Sequence, residues 1–176
     1  MPRPISARLP TLPRLIGAVL LGSLVFGTTI AEAACSDPPM PGADWRRCNF
    51  DRVDLERIDL SGGRLDDASF NRAKLAGSIF NGIQGGRARF LGANLQGTSF
   101  EGALLKFADF SQADLQGASF AGADLADARM VSANLRGADL TGARLRDVDF
   151  YRADLSGATW IDGDRICAEG SITFCR

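Results

Sequence analysis

Residues 113–125 read ADLQGASFAGADL. Leu115, Phe120 and Leu125 stand five apart, an interval that suits neither a helix nor a flat strand. Five residues carry an α-helix about 140° past one full turn, so large side chains at that spacing spiral over every face instead of forming a stripe. A flat strand needs a period of two. A short extended piece followed by a corner does fit. Ala113 points in, Asp114 out and Leu115 in, and Gln116-Gly117 turns the chain.

The register extends from Trp45 to Trp160 without a slip. Of the 24 places at this interval, 23 hold Leu, Phe, Met or Trp, and Gly85 is the exception. Two residues earlier, 16 of the 24 places hold Ala, a small inward residue that leaves room for the large one. In a helix each of the many glycines would cost roughly 1 kcal/mol relative to Ala. An unbroken internal period is the mark of a solenoid.

Glycine sets the number of sides. Two places after the large residue, Gly occurs at 62, 77, 82, 97, 102, 117, 122, 137, 142 and 157, at intervals alternating 15 and 5; Gly92 alone falls outside. The pattern therefore repeats every 20 residues, four pentads to a turn. Phe50, Phe70, Phe90, Phe110, Met130 and Phe150 share one column, and Phe80, Phe100 and Phe120 another. Leu55, Leu75, Leu95, Leu115, Leu135 and Leu155 fill a third; Leu65, Leu105, Leu125 and Leu145 belong to the fourth. The expected fold is all-β, a four-sided solenoid over residues 45–160 with identical residues stacked up each column. At a strand spacing of about 4.8 Å, about six coils make a rod roughly 29 Å long. The two Gly columns mark corners expected to need a positive φ or a close approach of backbones.

The A(D/N)LxG units Ala93-Asn94-Leu95-Gln96-Gly97, Ala113-Asp114-Leu115-Gln116-Gly117 and Ala138-Asp139-Leu140-Thr141-Gly142 resemble the pentapeptide-repeat family. The likeness runs through residues 45–160. It implies a right-handed quadrilateral β-helix with a hydrophobic residue at the centre of each pentad.

The flanks read differently. Residues 1–33 have the layout of a secretory signal peptide: Arg3, Arg8 and Arg14, an uncharged run over 15–30, and the small-x-small site Ala31-Glu32-Ala33. An uncleaved anchor would need an apolar run of about 18 residues or more. A lipoprotein acylated on Cys35 would carry Leu where Glu32 stands. Cleavage would leave 17 basic and 20 acidic residues in a chain exported to the periplasm or medium. There, the paired spacing of Cys35 with Cys48 and of Cys167 with Cys175 reads as two local disulfides. Residues 34–44 are expected to cap the first coil. Residues 161–176, with Ile166, Ile172 and Phe174, are expected to fold over the last.

At Gly85 the column loses its large residue, and Ile83, standing at the usual Ala place, is expected to fill the gap from the side. Asp109, Asp114, Asp124, Asp139, Asp149 and Asp154 recur too regularly for acid–base chemistry and suit turn bonding. The chain has no His, which removes the commonest general base and zinc ligand. Its near-neutral charge argues against nucleic-acid binding. No catalytic, metal or cofactor residue is assigned, and no membrane contact after signal cleavage. Leu91, Val131 and Tyr151, in one outward column, and Leu104 and Phe107, on the adjoining side, form a candidate interaction surface. The expectation is a non-enzymatic exported structural or protein-interaction module, with a protein partner or a second copy as ligand. The alternative from the family is a duplex-DNA mimic that protects topoisomerases. Against it stand the signal peptide and Arg47, Arg52, Arg57, Arg72, Arg87 and Arg152, which interrupt the acidic surface.

Overall fold

A computed structural model describes residues 35–176; the expected signal peptide lies outside them. Each pentad is a two-residue turn and a three-residue extended piece. The middle residue of that piece pairs in parallel with the residue 20 further on. Asp44 pairs with Arg64, Arg64 with Gln84, Gln84 with Leu104, and parallel columns start at Asn49, Asp54 and Asp59. The 20-residue repeat is thus one coil with four sides.

The backbone shows why five residues suffice. In the pentad 113–117, the Ala113 N–H closes the corner onto the Phe110 carbonyl at 3.0 Å. The Asp114 N–H donates to Ala93 in the coil before at 2.9 Å. Leu115 and Gly117 donate to Asn134 and Arg136 in the coil after, at 2.8 and 2.9 Å. Four N–H groups of five are satisfied by backbone, and a side chain serves the fifth, as described below.

The inward Leu and Phe residues from Leu60 to Leu140 are fully buried, and the Ala residues beside them nearly so. Phe70, Phe90 and Phe110 lie in file, with ring centroids 5.2 and 4.9 Å apart and planes within 6° of parallel. Phe80, Phe100 and Phe120 form the opposite file at 5.1 Å spacing. The two files also meet across the core edge to face: Phe100 lies 5.6 Å from Phe110 at 82° and Phe110 lies 5.6 Å from Phe120 at 85°. Each such pair contributes about 0.5–1.5 kcal/mol beyond burial. The cross-core contacts zip the opposite walls together.

The glycine columns have the expected positive φ, at 61–70° from Gly62 to Gly157. Positive φ is not confined to the glycine columns. Every corner has it, including twelve with side chains, from Arg47 at 60° through Phe107 at 60° to Arg152 at 60°. The reason is closure, because each corner needs the same left-handed second turn residue whatever the sequence supplies. At Gly97 and Gly117 a Cβ would meet nothing within 4 Å, so backbone approach is not what glycine serves there. One expectation, on the C-terminal cap, needs correction. The cap pairs antiparallel with the last coil, Asp154 with Ile172 and Thr159 with Ile166. That places Ile166, Ile172 and Phe174 outside, while Cys167 and Ser171 point in and are buried. A bridging partner shares its neighbour's outward direction, and Asp154 and Thr159 sit at outward places.

The cysteines pair locally, Cys35 with Cys48 and Cys167 with Cys175. On the N-terminal side, Trp45 is buried and its indole N–H donates to the Asp37 carbonyl at 3.1 Å. Gly85 is filled as anticipated. A Cβ there would lie 3.2 Å from Ile83 Cδ1 and 3.1 Å from Leu105 Cδ2, and Ile83 is fully buried.

Candidate functional site

With the interior filled by side chains, the chemistry available lies on the outside. The acidic residues that precede the pentad centres are engaged in building the coil. The one N–H that no backbone carbonyl reaches, on the first turn residue, is met by the Asp or Asn two places earlier. Asp109 accepts from Ser111 at 2.9 Å, Asp139 from Thr141 at 2.9 Å and Asp149 from Tyr151 at 3.0 Å; Asp114, Asp124 and Asp154 do the same. In several pentads where that place holds no Asp or Asn, an Asx residue one coil below reaches up. Asn71 Oδ1 accepts from Leu91, Asn81 Oδ1 from Glu101 and Asp66 Oδ1 from Gly86.

Ion pairs join successive coils. Arg87 Nε stands 2.7 Å from Asp67, Lys74 Nζ 3.1 Å from Asp54 and Lys106 Nζ 3.4 Å from Asp124. The Arg87 guanidinium holds the Asp67 carboxyl below its ordinary value, and Arg46 does the same for Asp44. Burial raises Asp124, but the Ala126 N–H and the Lys106 ammonium outweigh it and the carboxyl ends low. These are acids held charged for structure. Among the described residues, no three Cys, Asp or Glu side chains converge as metal ligands would.

The apolar candidates divide into two groups. Leu104 and Phe107 flank one corner, 51% and 57% exposed. Phe107 spends a left-handed conformation on an unburied aromatic, where most corners carry Gly, Asp or Arg. In its corner column, one coil to either side, stand Arg87 and Asp127. Leu91, Val131 and Tyr151 occupy the far corner of the next side, beyond the outward row of Arg89, Asp109 and Arg129. Tyr151 is 61% exposed, Val131 half-buried. Ser111 lies between Leu91 and Val131, 6% exposed, its hydroxyl without a partner among the described residues. The five residues are therefore a pair and a spaced column, not one patch. Exposed Ile79 and Val53 escaped the sequence reading. Ile79 stands at an outward place and was legible; Val53 stands at an inward one and was not.

A family model described as pentapeptide repeats matches the chain in eight copies, over residues 32–67, 68–106, 103–142 and 128–159. No curated protein matches the chain. Among solved structures, it is similar to HetL, a pentapeptide repeat protein involved in heterocyst differentiation regulation from the cyanobacterium Nostoc sp. strain PCC 7120, with 27% identity over 71% of this chain and 70% of that one and a TM-score of 0.46. A pentapeptide repeat protein from the Arabidopsis thaliana thylakoid lumen is 31% identical over 65% of this chain and 69% of its own, with a TM-score of 0.42. QnrB1, a plasmid-mediated fluoroquinolone resistance protein, is 21% identical over 70% and 78%, with a TM-score of 0.41.

Proposed function

The chain belongs to the pentapeptide-repeat family, and we propose that within it this protein is an exported, non-enzymatic module that binds a protein partner through one flank. Its framework is a right-handed quadrilateral β-helix of about six coils, held at strand spacing. The observation that carries the reading is the corner at Leu104 and Phe107. A large apolar side chain at a positive φ costs about 1–2 kcal/mol relative to glycine, and Phe107, 57% exposed, recovers only part of that by burial. An aromatic kept in such a place is accounted for by what it contacts outside the chain. The engagement of the acidic row in turn bonds supports a binding role over catalysis. The two disulfides suit an oxidising compartment.

The topoisomerase-protecting reading is the alternative. Its weakness is the mixed charge: Arg47, Arg52, Arg57, Arg72, Arg87 and Arg152 all occupy projecting corners. The test is affinity capture from an extracytoplasmic extract with the wild type and with a Phe107→Gly, Leu104→Ser variant. A partner held by the first and lost by the second supports the proposal. Identical capture sets remove it, and inhibition of gyrase supercoiling at low concentration would favour the alternative.

A further inference from the structure

One side of the solenoid carries its charges in alternation. On the side that follows the Phe107 corner, the outward row reads Arg89, Asp109, Arg129 and Asp149, each bridged to the next one coil away. Arg129 Nη1 stands 3.8 Å from Asp109 within the row. Beside it runs the far-corner column, with exposed Leu91 and Tyr151 at its ends and the smaller Ser111 and Val131 between them. The near-corner column reads Arg87, Phe107, Asp127 and Asp147.

Such a row distinguishes the direction of a facing copy. Against a copy running the same way, Arg would oppose Arg and Asp would oppose Asp. Against a copy running the opposite way, about a two-fold axis between Asp109 and Arg129, the row is its own complement. Arg89 then opposes Asp149 and Asp109 opposes Arg129, each twice over. The two flanking columns agree on the same axis. Arg87 comes opposite Asp147 and Leu91 opposite Tyr151, Val131 lies over the small Ser111, and Phe107 meets Asp127 at the rim. No like charges meet in any of the three columns. The adjoining Leu104 side behaves otherwise, because the same reversal about its middle sets Arg46 against Arg146 and Asp67 against Asp127.

We infer that two copies of this chain pair antiparallel through the Arg89–Asp149 side. The contact is isologous and closes on itself, so assembly stops at two. Four coils make a strip about 19 Å long at strand spacing. A strip of that length buries less than the roughly 800 Å² per partner of a standard interface. The dimer is therefore weak and, being held by exposed charges, sensitive to salt. It leaves the Leu104 side open, so partner binding there and self-association can fail separately.

The test is sedimentation velocity on the disulfide-intact protein, from about 10 μM to about 1 mM in about 50 mM salt. The wild type should pass from monomer to dimer and no further. Arg129→Asp sets carboxylate against carboxylate at both central contacts, and Asp109→Arg sets guanidinium against guanidinium. Each variant alone should stay monomeric. Their equal mixture should dimerise, because Asp109 of the first meets Arg129 of the second and the two introduced charges also oppose each other. A monomeric wild type, species beyond two copies, a single variant that still dimerises, or folded variants whose mixture stays monomeric overturns the inference. Asp109 also accepts the Ser111 N–H, so its replacement can unfold the chain. In that event salt decides on the wild type: raising it to about 500 mM should weaken association at least about tenfold, and an unchanged constant refutes the pairing. Leu104→Ser, which serves the partner-binding reading, should leave dimerisation unaltered.

Discussion

The break at Gly85 offers the sharpest check on how the core is filled. Ile83 stands where the repeat places Ala, and its Cδ1 lies 3.2 Å from where a Gly85 Cβ would be. The two positions therefore divide one volume. Ile83→Ala alone empties it and should cost about 2–5 kcal/mol, the range for a fully buried aliphatic truncated to Ala. Gly85→Leu alone places a second large side chain against Ile83 and Leu105 and should cost about 1–3 kcal/mol through overpacking. The double variant restores the pattern of the neighbouring pentads, with Ala inward and Leu at the centre. It should come within about 1 kcal/mol of the wild type, so the coupling term is about 2 kcal/mol or more in favour of the pair. Urea unfolding of all four proteins measures it, with the slope checked for constancy, since a solenoid can unfold in segments. If the double variant loses as much as the two singles summed, Ile83 does not occupy the Gly85 volume and the account of the break is wrong.

Three further outcomes follow from the same geometry. Asp124→Ala strips the acceptor from the N–H of fully buried Ala126 and should destabilise by about 1–3 kcal/mol, whereas Asp124→Asn keeps an acceptor oxygen and should cost less than half of that; chemical denaturation compares them. Phe107→Gly relieves a side chain held at a φ of 60° and should raise the unfolding free energy by about 0.5–1 kcal/mol, net of the freedom glycine adds to the unfolded chain; a drop in melting temperature would show that Phe107 packs against the coil. The carboxyls of Asp44, Asp67 and Asp124 are held below their ordinary value in the fold, so the native state binds their protons more weakly than the unfolded chain does. Their stabilisation is complete above about pH 5 and is lost as pH falls through about 3.9 toward the native values. With no His in the chain, a denaturant midpoint followed against pH should show no step near about 6.5.

The candidate surface was half legible. Leu104, Phe107 and Tyr151 stand at outward places in an unbroken register, so their exposure followed from counting. Their grouping did not. Whether Leu91 and Phe107 share a patch depends on which corners they occupy, and the row of Arg89, Asp109 and Arg129 lies between. The service of the Asp and Asn row was anticipated in kind as turn bonding. The relay by which Asn71 and Asn81 reach up one coil was not, because it joins residues that only stacking brings together.

From its sequence alone, this protein's path was determined wherever one pentad repeats the next. A period of five with Ala and Leu or Phe inward calls for a cornered coil, and a 20-residue rhythm of Gly and Phe gives it four sides. A local rule of that kind needs no knowledge of distant residues, since every coil meets only a copy of itself. What only the tertiary structure decided lies where the repetition stops or where opposite walls meet. The edge-to-face contacts between the Phe files, the left-handed corner imposed on Arg and Phe as firmly as on Gly, and the antiparallel return that turns Ile166 and Ile172 outward are of this kind. Each is set by closing the coil or ending it, a constraint that acts across the whole cross-section and leaves no mark on any single pentad.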